Sequence, residues 1–211
     1  MLFRSRHPHY RSVLQPVTDA GLRAHYGASN SQRVFSFIGS MRANKRPDLV
    51  VQAFRGLDAA GNYLIMAGGA SQEVATEVTG LAGNAGNVRL SLQRVPEDEI
   101  GRLYAATDIM VFPGTDYFNS GTIYTALSLN VPVLAAWSPT NAEIQKHVGS
   151  NWLHLYEGEF TTAAMQDAAS KLVKPGAGVV CNLSAFEPAL CAQQHIAAYT
   201  APLGEGASHA A

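Results

Sequence analysis

Arg42, Lys45 and Arg46 stand close together just after Gly39, in the stretch GSMRANKRPD (39–48). Guanidinium and ammonium groups beside a helix start suit a phosphate or diphosphate, because each can make charge-assisted hydrogen bonds to anionic oxygens. Solvated basic side chains on a loop are the other reading of the same residues. A second stretch, AGGAS (67–71), sets Gly68 beside Gly69. Without a Cβ, glycine backbone can approach a ligand closely, although a tight turn would use the same pair. The third stretch is PGTDYFNSGT (113–122). It opens a short apolar helix with small, uncharged residues. The free N–H groups of Ser120, Gly121 and Thr122, with the helix dipole behind them, can hold an anion without any side-chain charge. An ordinary Ser or Asn cap is the alternative. Together the three stretches describe a cleft that grips a diphosphate between a cationic loop and a helix N-terminus.

The elements that would position these loops follow from periodicity. RVFSFIG (33–39) is a strand ending in a glycine turn. RPDLVVQAFRGL (46–57) places Leu49, Val50, Ala53, Phe54 and Leu57 on one helical face, with Pro47 in the first turn. A strand at 63–69, a helix at 71–82 capped by Ser71, and a strand at 87–92 come next. A helix at 96–107 begins with Pro96 and three acids, and a buried strand follows at 108–114. After the helix of the third stretch come strands at 131–137 and 151–157, helices at 141–148, 161–173 and 184–199, and a Gly/Pro break at 174–179. Strands that are apolar on both faces and alternate with amphipathic helices imply an α/β domain with a doubly wound, mostly parallel, Rossmann-like sheet. In such sheets the ligand lies at the carboxyl ends of the strands, where all three loops fall. The expected organisation is a linker at 1–32, the sheet domain at 33–175, a C-terminal helix at 176–200 and a tail at 201–211.

Composition narrows the function. The chain has 211 residues, 47% hydrophobic and 15% charged, enough for a sizeable core. A formal net charge of −1 gives no case for a nucleic-acid surface. No apolar run approaches the roughly 18 residues of a membrane span, and no apolar stretch follows the basic start as a signal peptide requires. Cys181 and Cys191 read as buried thiols. His7 and His9 flank Pro8 with no third ligand nearby, so no metal site is expected. No G-x-G-x-x-G follows the first strand and no G-x-x-x-x-G-K-[ST] occurs, which argues against nicotinamide cofactors and P-loop ATPases. No Ser/His/Asp or Cys/His set at a recognisable spacing supports hydrolysis.

The ordered landmarks FSFIGSMRANKRPDLVVQAF, YLIMAGG, VRLSLQRVPEDEIGRLYAATDIMVFP and SGTIYTALSLNVPVLA resemble the C-terminal half of GT-B glycosyltransferases of the group 1 type. The likeness covers about residues 33–175, and LSAFEPALCAQQHIAAY is similar to the helix that crosses back to the other half. The resemblance implies a nucleoside-diphosphate sugar as donor substrate and no other cofactor. Carried over by position, it makes Arg42 and Lys45 the catalytic cations that bind the diphosphate and help it leave. Donor contacts would come from Gly39, Gly68, Gly69, Arg94, Val95, Asp116, Asn119, Ser120, Gly121 and Thr122, with Arg94 and Val95 near the base. The family usually carries two glutamates where this chain has Tyr117 and Thr125. A branch with an Asp and a Ser-Gly instead, like Asp116, Ser120 and Gly121 here, is tied to exopolysaccharide synthesis, often from GDP-mannose. The acceptor, a glycan or lipid-linked saccharide, would be met mainly by an N-terminal half absent from these 211 residues. The expected location is the cytoplasm, with peripheral attachment of a complete enzyme to the inner membrane face left open. A non-catalytic nucleotide-sugar-binding module and a GT-B epimerase are the alternatives.

Overall fold

The computed structural model describes residues 6–19, 21–114, 121–176 and 178–200. Its elements run α1 (Leu22–His25), β1 (Arg33–Ile38), α2 (Pro47–Phe54), β2 (Asn62–Ala67), α3 (Gln72–Ala82), β3 (Val88–Ser91) and α4 (Glu97–Ala106). They continue with β4 (Ile109–Phe112), α5 (Gly121–Ser128), β5 (Val133–Ala136), α6 (Pro139–Val148), β6 (Leu153–Tyr156), α7 (Thr162–Lys171) and α8 (Pro188–Thr200). The six strands form one sheet in the order β3-β2-β1-β4-β5-β6, and every pairing is parallel. The doubly wound parallel sheet expected from the alternation is what the chain forms.

Successive side chains of each strand enter opposite cores, because a strand's period is two. Val34 and Ile38 of β1, Ile65 of β2 and Met110 of β4 join the face covered by α1, α4, α5 and α6. Phe35, Phe37, Leu64 and Val111 join the face covered by α2, α3 and α7. Ser36 is a fully buried polar exception. Thr107 donates its hydroxyl proton to Leu103 O at 2.7 Å, so the 2.8 Å contact between the two hydroxyls is donated by Ser36. Asp108 ties the amino end of the sheet. One carboxylate oxygen accepts from Val34 N at 2.8 Å and the other pairs with Arg23.

Local signals set the helix ends. Ser71, Ser138 and Thr161 each accept a backbone N–H with the side chain, and so start α3, α6 and α7. Pro47 occupies the first turn of α2, where its missing N–H costs nothing. The single helix expected at 184–199 is instead a short 3-10 turn, Ser184–Phe186, followed by α8. Pro188 is the reason: it holds Glu187 extended, at ψ 132°, and opens a new helix.

The N-terminal segment has seats that its polar sequence did not announce. His9 is buried, and its N–H donates to Phe186 O at 2.9 Å. Arg11 donates to Asn130 Oδ1 at 3.0 Å and to Cys181 O at 2.7 Å, while Tyr10 N donates to Ser128 Oγ at 2.9 Å. Residues 9–11 and 181–187 thus meet at the C-terminal end of α5. Cys181 and Cys191 are free and buried, and burial pushes the Cys181 thiol up to about 12.

Candidate donor cleft

The turn after β1 and the turn after β2 lie against each other. Gly39 N donates to Ala67 O and Met41 N to Gly69 O, each at 2.8 Å. A Cβ built on Gly68 would stand 1.8 Å from Gly39 O, and Gly68 has φ +152°. Both the space and the backbone angle therefore demand glycine. Gly39, at φ +127°, faces the first turn of α5, with Thr122 Oγ1 3.5 Å from where its Cβ would be. A Cβ on Gly69 would meet nothing closer than Arg94 N at 3.8 Å. Three loops and a helix start therefore converge at the carboxyl ends of the strands.

Between them lies a cleft of about 500 Å³, lined by Gly39, Gly68, Gly69, Arg94, Val95 and Thr122 together with Ile38, Ser40, Ile100, Tyr104 and Thr125. Six of the expected donor-contact residues are thus brought together. Arg42, Lys45 and Gly121 do not line it. Arg42 and Lys45 bracket the 3-10 turn Ala43–Lys45 that follows the Gly39 turn. Gly121 turns toward the N-terminal segment, where a Cβ would come within 3.0 Å of Tyr10 Oη. Asp116, Asn119 and Ser120, with Tyr117, lie outside the described residues. The sequence did not point to Ile38, Ser40, Ile100 or Tyr104 as lining, whereas Thr125 stands where the resemblance sets a family glutamate. The i, i+4 spacing of Ile100 and Tyr104 was the available signal that both face the same way.

The cleft's electrostatics are one-sided. Its lining among the described residues holds Arg94 and no acid. Among the described residues, Arg42, Lys45 and Arg94 make no ion pair, whereas Arg46 is held by Asp48 at 2.8 Å. Burial, and then the neighbouring Arg42 charge, lower the Lys45 ammonium from its usual range. Two crowded cations with no counter-ion among the described residues favour an arriving anion. The first turn of α5 contains no acidic residue to compete for its N–H groups. Burial raises the Tyr104 hydroxyl, which stays protonated as a wall of the cleft. Thr125 donates its hydroxyl proton to Gly121 O at 2.9 Å. Glu143 lies on α6 and pairs with Arg6 at 3.4 Å.

The family model described as "Glycosyl transferases group 1" matches residues 32–174. The chain belongs to that family. A GDP-mannose:glycolipid 4-beta-D-mannosyltransferase of Xanthomonas campestris pv. campestris (strain ATCC 33913) is 30% identical over 203 residues, covering 92% of this chain and 58% of that enzyme. A second enzyme of the same description and pathovar gives the same identity and coverage. The chain therefore spans a little over half the length of the curated relatives it matches. Among solved structures, the glycosyltransferase WaaG, involved in lipopolysaccharide biosynthesis, shares the fold at TM-score 0.59 and 17% identity, over 94% of this chain and 52% of that one. Sucrose-phosphate synthase from Thermosynechococcus elongatus does so at TM-score 0.58 and 16% identity, over 78% of this chain and 42% of that one. The GT-B resemblance read from the landmarks is thus supported by the family model and by the fold. No helix among the described residues is long and apolar enough to cross a membrane.

Proposed function

We propose that this chain is the donor-binding half of a glycosyltransferase that takes a nucleoside-diphosphate sugar and passes the sugar to a glycan or lipid-linked acceptor. The observation that carries the proposal is the cleft at the carboxyl ends of β1 and β2, whose described lining holds Arg94 and no acid, with the start of α5 on one side and, on the turn that follows Gly39, Arg42 and Lys45, which make no ion pair among the described residues. The diphosphate lies between Arg42 and Lys45 on one side and the N–H groups of Gly121 and Thr122 on the other. The nucleoside rests against Gly69, Arg94 and Val95. As the bond from the sugar's anomeric carbon to the phosphate oxygen breaks, negative charge grows on the nucleotide. Fixed cations and helix N–H groups stabilise that charge more than they stabilise the intact donor, and this difference lowers the barrier. The acceptor hydroxyl that forms the new bond is supplied from outside this cleft.

Ribose is recognised here in a different way from a glutamate-bearing site. A carboxylate accepts from two hydroxyls at once, whereas Thr125 has its proton committed and offers one oxygen. The GDP-mannose in the relative's name, together with the Asp-and-Ser-Gly pattern at 116–121, makes a GDP-sugar the first choice. Location at the inner membrane face belongs to the same reading, in line with a relative that acts on a glycolipid. Thermal shift with GDP-mannose, UDP-glucose and free mannose tests it. GDP-mannose should raise the midpoint and free mannose should not. If neither nucleotide sugar shifts the midpoint at millimolar concentration, the reading is wrong.

A further inference from the structure

A second cavity, of about 310 Å³, opens at the carboxyl ends of β5 and β6, lined by Ala136, Trp137, Tyr156, Glu157 and Gly158. Trp137 is 51% exposed, an unusual setting for an indole, which gains most from burial. Its backbone is nevertheless fixed. Trp137 N donates to Tyr156 O at 2.7 Å, and Asn141 Nδ2 donates to Ala136 O at 2.8 Å. The buried Tyr156 hydroxyl donates to Pro113 O at 2.6 Å, and burial pushes that hydroxyl up to about 12, so it remains a donor. Glu157 makes no ion pair among the described residues, and no basic residue lines the cavity.

The chemistry of this pair selects a ligand. The electron-rich face of an indole attracts weakly positive C–H groups, such as those on the apolar face of a pyranose ring. A carboxylate accepts hydrogen bonds from two neighbouring hydroxyls. A phosphate would be repelled by Glu157 and would find no cation among the described lining residues. The volume sits at the lower end of the range for small-molecule sites, about 300–1,000 Å³. We propose that Trp137 and Glu157 form a saccharide-binding subsite, with the pyranose face on the indole and its hydroxyls on the carboxylate. β5 and β6 lie two and three strands from β1, so the subsite is roughly 10–15 Å along the sheet edge from the donor cleft at a spacing near 4.8 Å per strand. That is within reach of a short oligosaccharide. The subsite itself stands on its own geometry, and its identification with the acceptor glycan rests on the transferase reading. The two clefts then divide the labour by charge: cations take the anionic leaving group, and an indole with a carboxylate takes the neutral sugar.

Trp137 and Trp152 are the two tryptophans of the chain. A Trp152→Phe background makes Trp137 fluorescence the reporter. Titration with β-1,4-mannobiose and with cellobiose should give a saturable change, and titration with sorbitol should not. Glu157→Gln should weaken that binding roughly tenfold, since it replaces a charge-assisted acceptor by a neutral one. Trp137→Ala in the otherwise unchanged chain, followed by NMR, should abolish saccharide-induced shifts while leaving the urea midpoint and the GDP response as they were. No saturable response to either disaccharide overturns the proposal, and so does binding that survives Trp137→Ala. Saccharide binding without any GDP binding would uphold this subsite and overturn the donor reading.

Discussion

Gly68→Ala should damage the fold at the donor cleft, and the structure gives the size of the damage. The new Cβ would lie 1.8 Å from Gly39 O and 2.5 Å from Gly39 C. Both atoms are backbone, so no side chain can swing away. To reach even 3.0 Å the two turns must part, which strains the hydrogen bonds Gly39 N to Ala67 O and Met41 N to Gly69 O. Overpacking of this kind costs about 1–3 kcal/mol, and forcing alanine to φ +152° costs a further ~1–3 kcal/mol. The expected loss is therefore about 2–6 kcal/mol, a large part of a typical domain's stability of about 5–15 kcal/mol. Gly69→Ala is the matched control. Its Cβ meets nothing within 3.4 Å, so stability should change by no more than about 0.5 kcal/mol. Urea unfolding followed by far-UV circular dichroism separates the two. If Gly68→Ala unfolds at the wild-type midpoint, or Gly69→Ala falls as far, the packing account of these turns is wrong.

Thr107→Val leaves the fully buried Ser36 hydroxyl without an acceptor and should cost about 1–3 kcal/mol, whereas Ser36→Ala should cost less because Thr107 keeps its bond to Leu103 O; urea midpoints of the two variants check the asymmetry. Lys174 donates to Ala105 O, and burial pushes its ammonium down to about 8, against about 10.4 in an unfolded chain. Between those values the unfolded state binds more protons, so this residue's contribution to stability rises with pH. Lys174→Met should be more stable than wild type at pH 7, by an amount on the order of 1–3 kcal/mol, and the advantage should shrink as pH passes from 8 to above 10; a difference independent of pH would contradict the assignment. Arg42→Ala and Lys45→Ala should each weaken GDP binding about tenfold without moving the urea midpoint, and calorimetric titration at low and high salt should show the loss greatest at low salt.

The fold was legible because its signals are local. β1, β2 and β4 are apolar on both faces, Leu49, Val50, Ala53 and Phe54 recur at helical spacing, and Ser71 and Pro47 mark helix starts. The cleft glycines were legible because they stand directly after strands, and Arg94 because the family resemblance carried its position over. What escaped was long-range. Nothing near His9 or Arg11 in sequence foretells their bonds to Phe186 O, Asn130 and Cys181 O. Tyr104 joins the cleft only because β4 pairs with β1, which carries α4 onto that face of the sheet. His7 was weighed only as half of a metal pair. Its ring instead stacks on Tyr124, with centroids 4.9 Å apart, and accepts from or donates to Tyr10 Oη at 3.3 Å over Gly121. A pattern search for metal ligands has no access to such a contact.

The central claim is that the crossing of the β1 and β2 turns with the start of α5 holds a nucleotide's diphosphate. Residue-resolved NMR of the whole chain titrated with GDP-mannose tests it most directly. The account predicts that the amides of Gly39, Gly69, Val95 and Thr122 shift together with one saturation curve, while those of Arg33 and Val173 at the opposite end of the sheet stay still. Shifts that cluster away from these turns, or no shift at millimolar GDP-mannose, would contradict it.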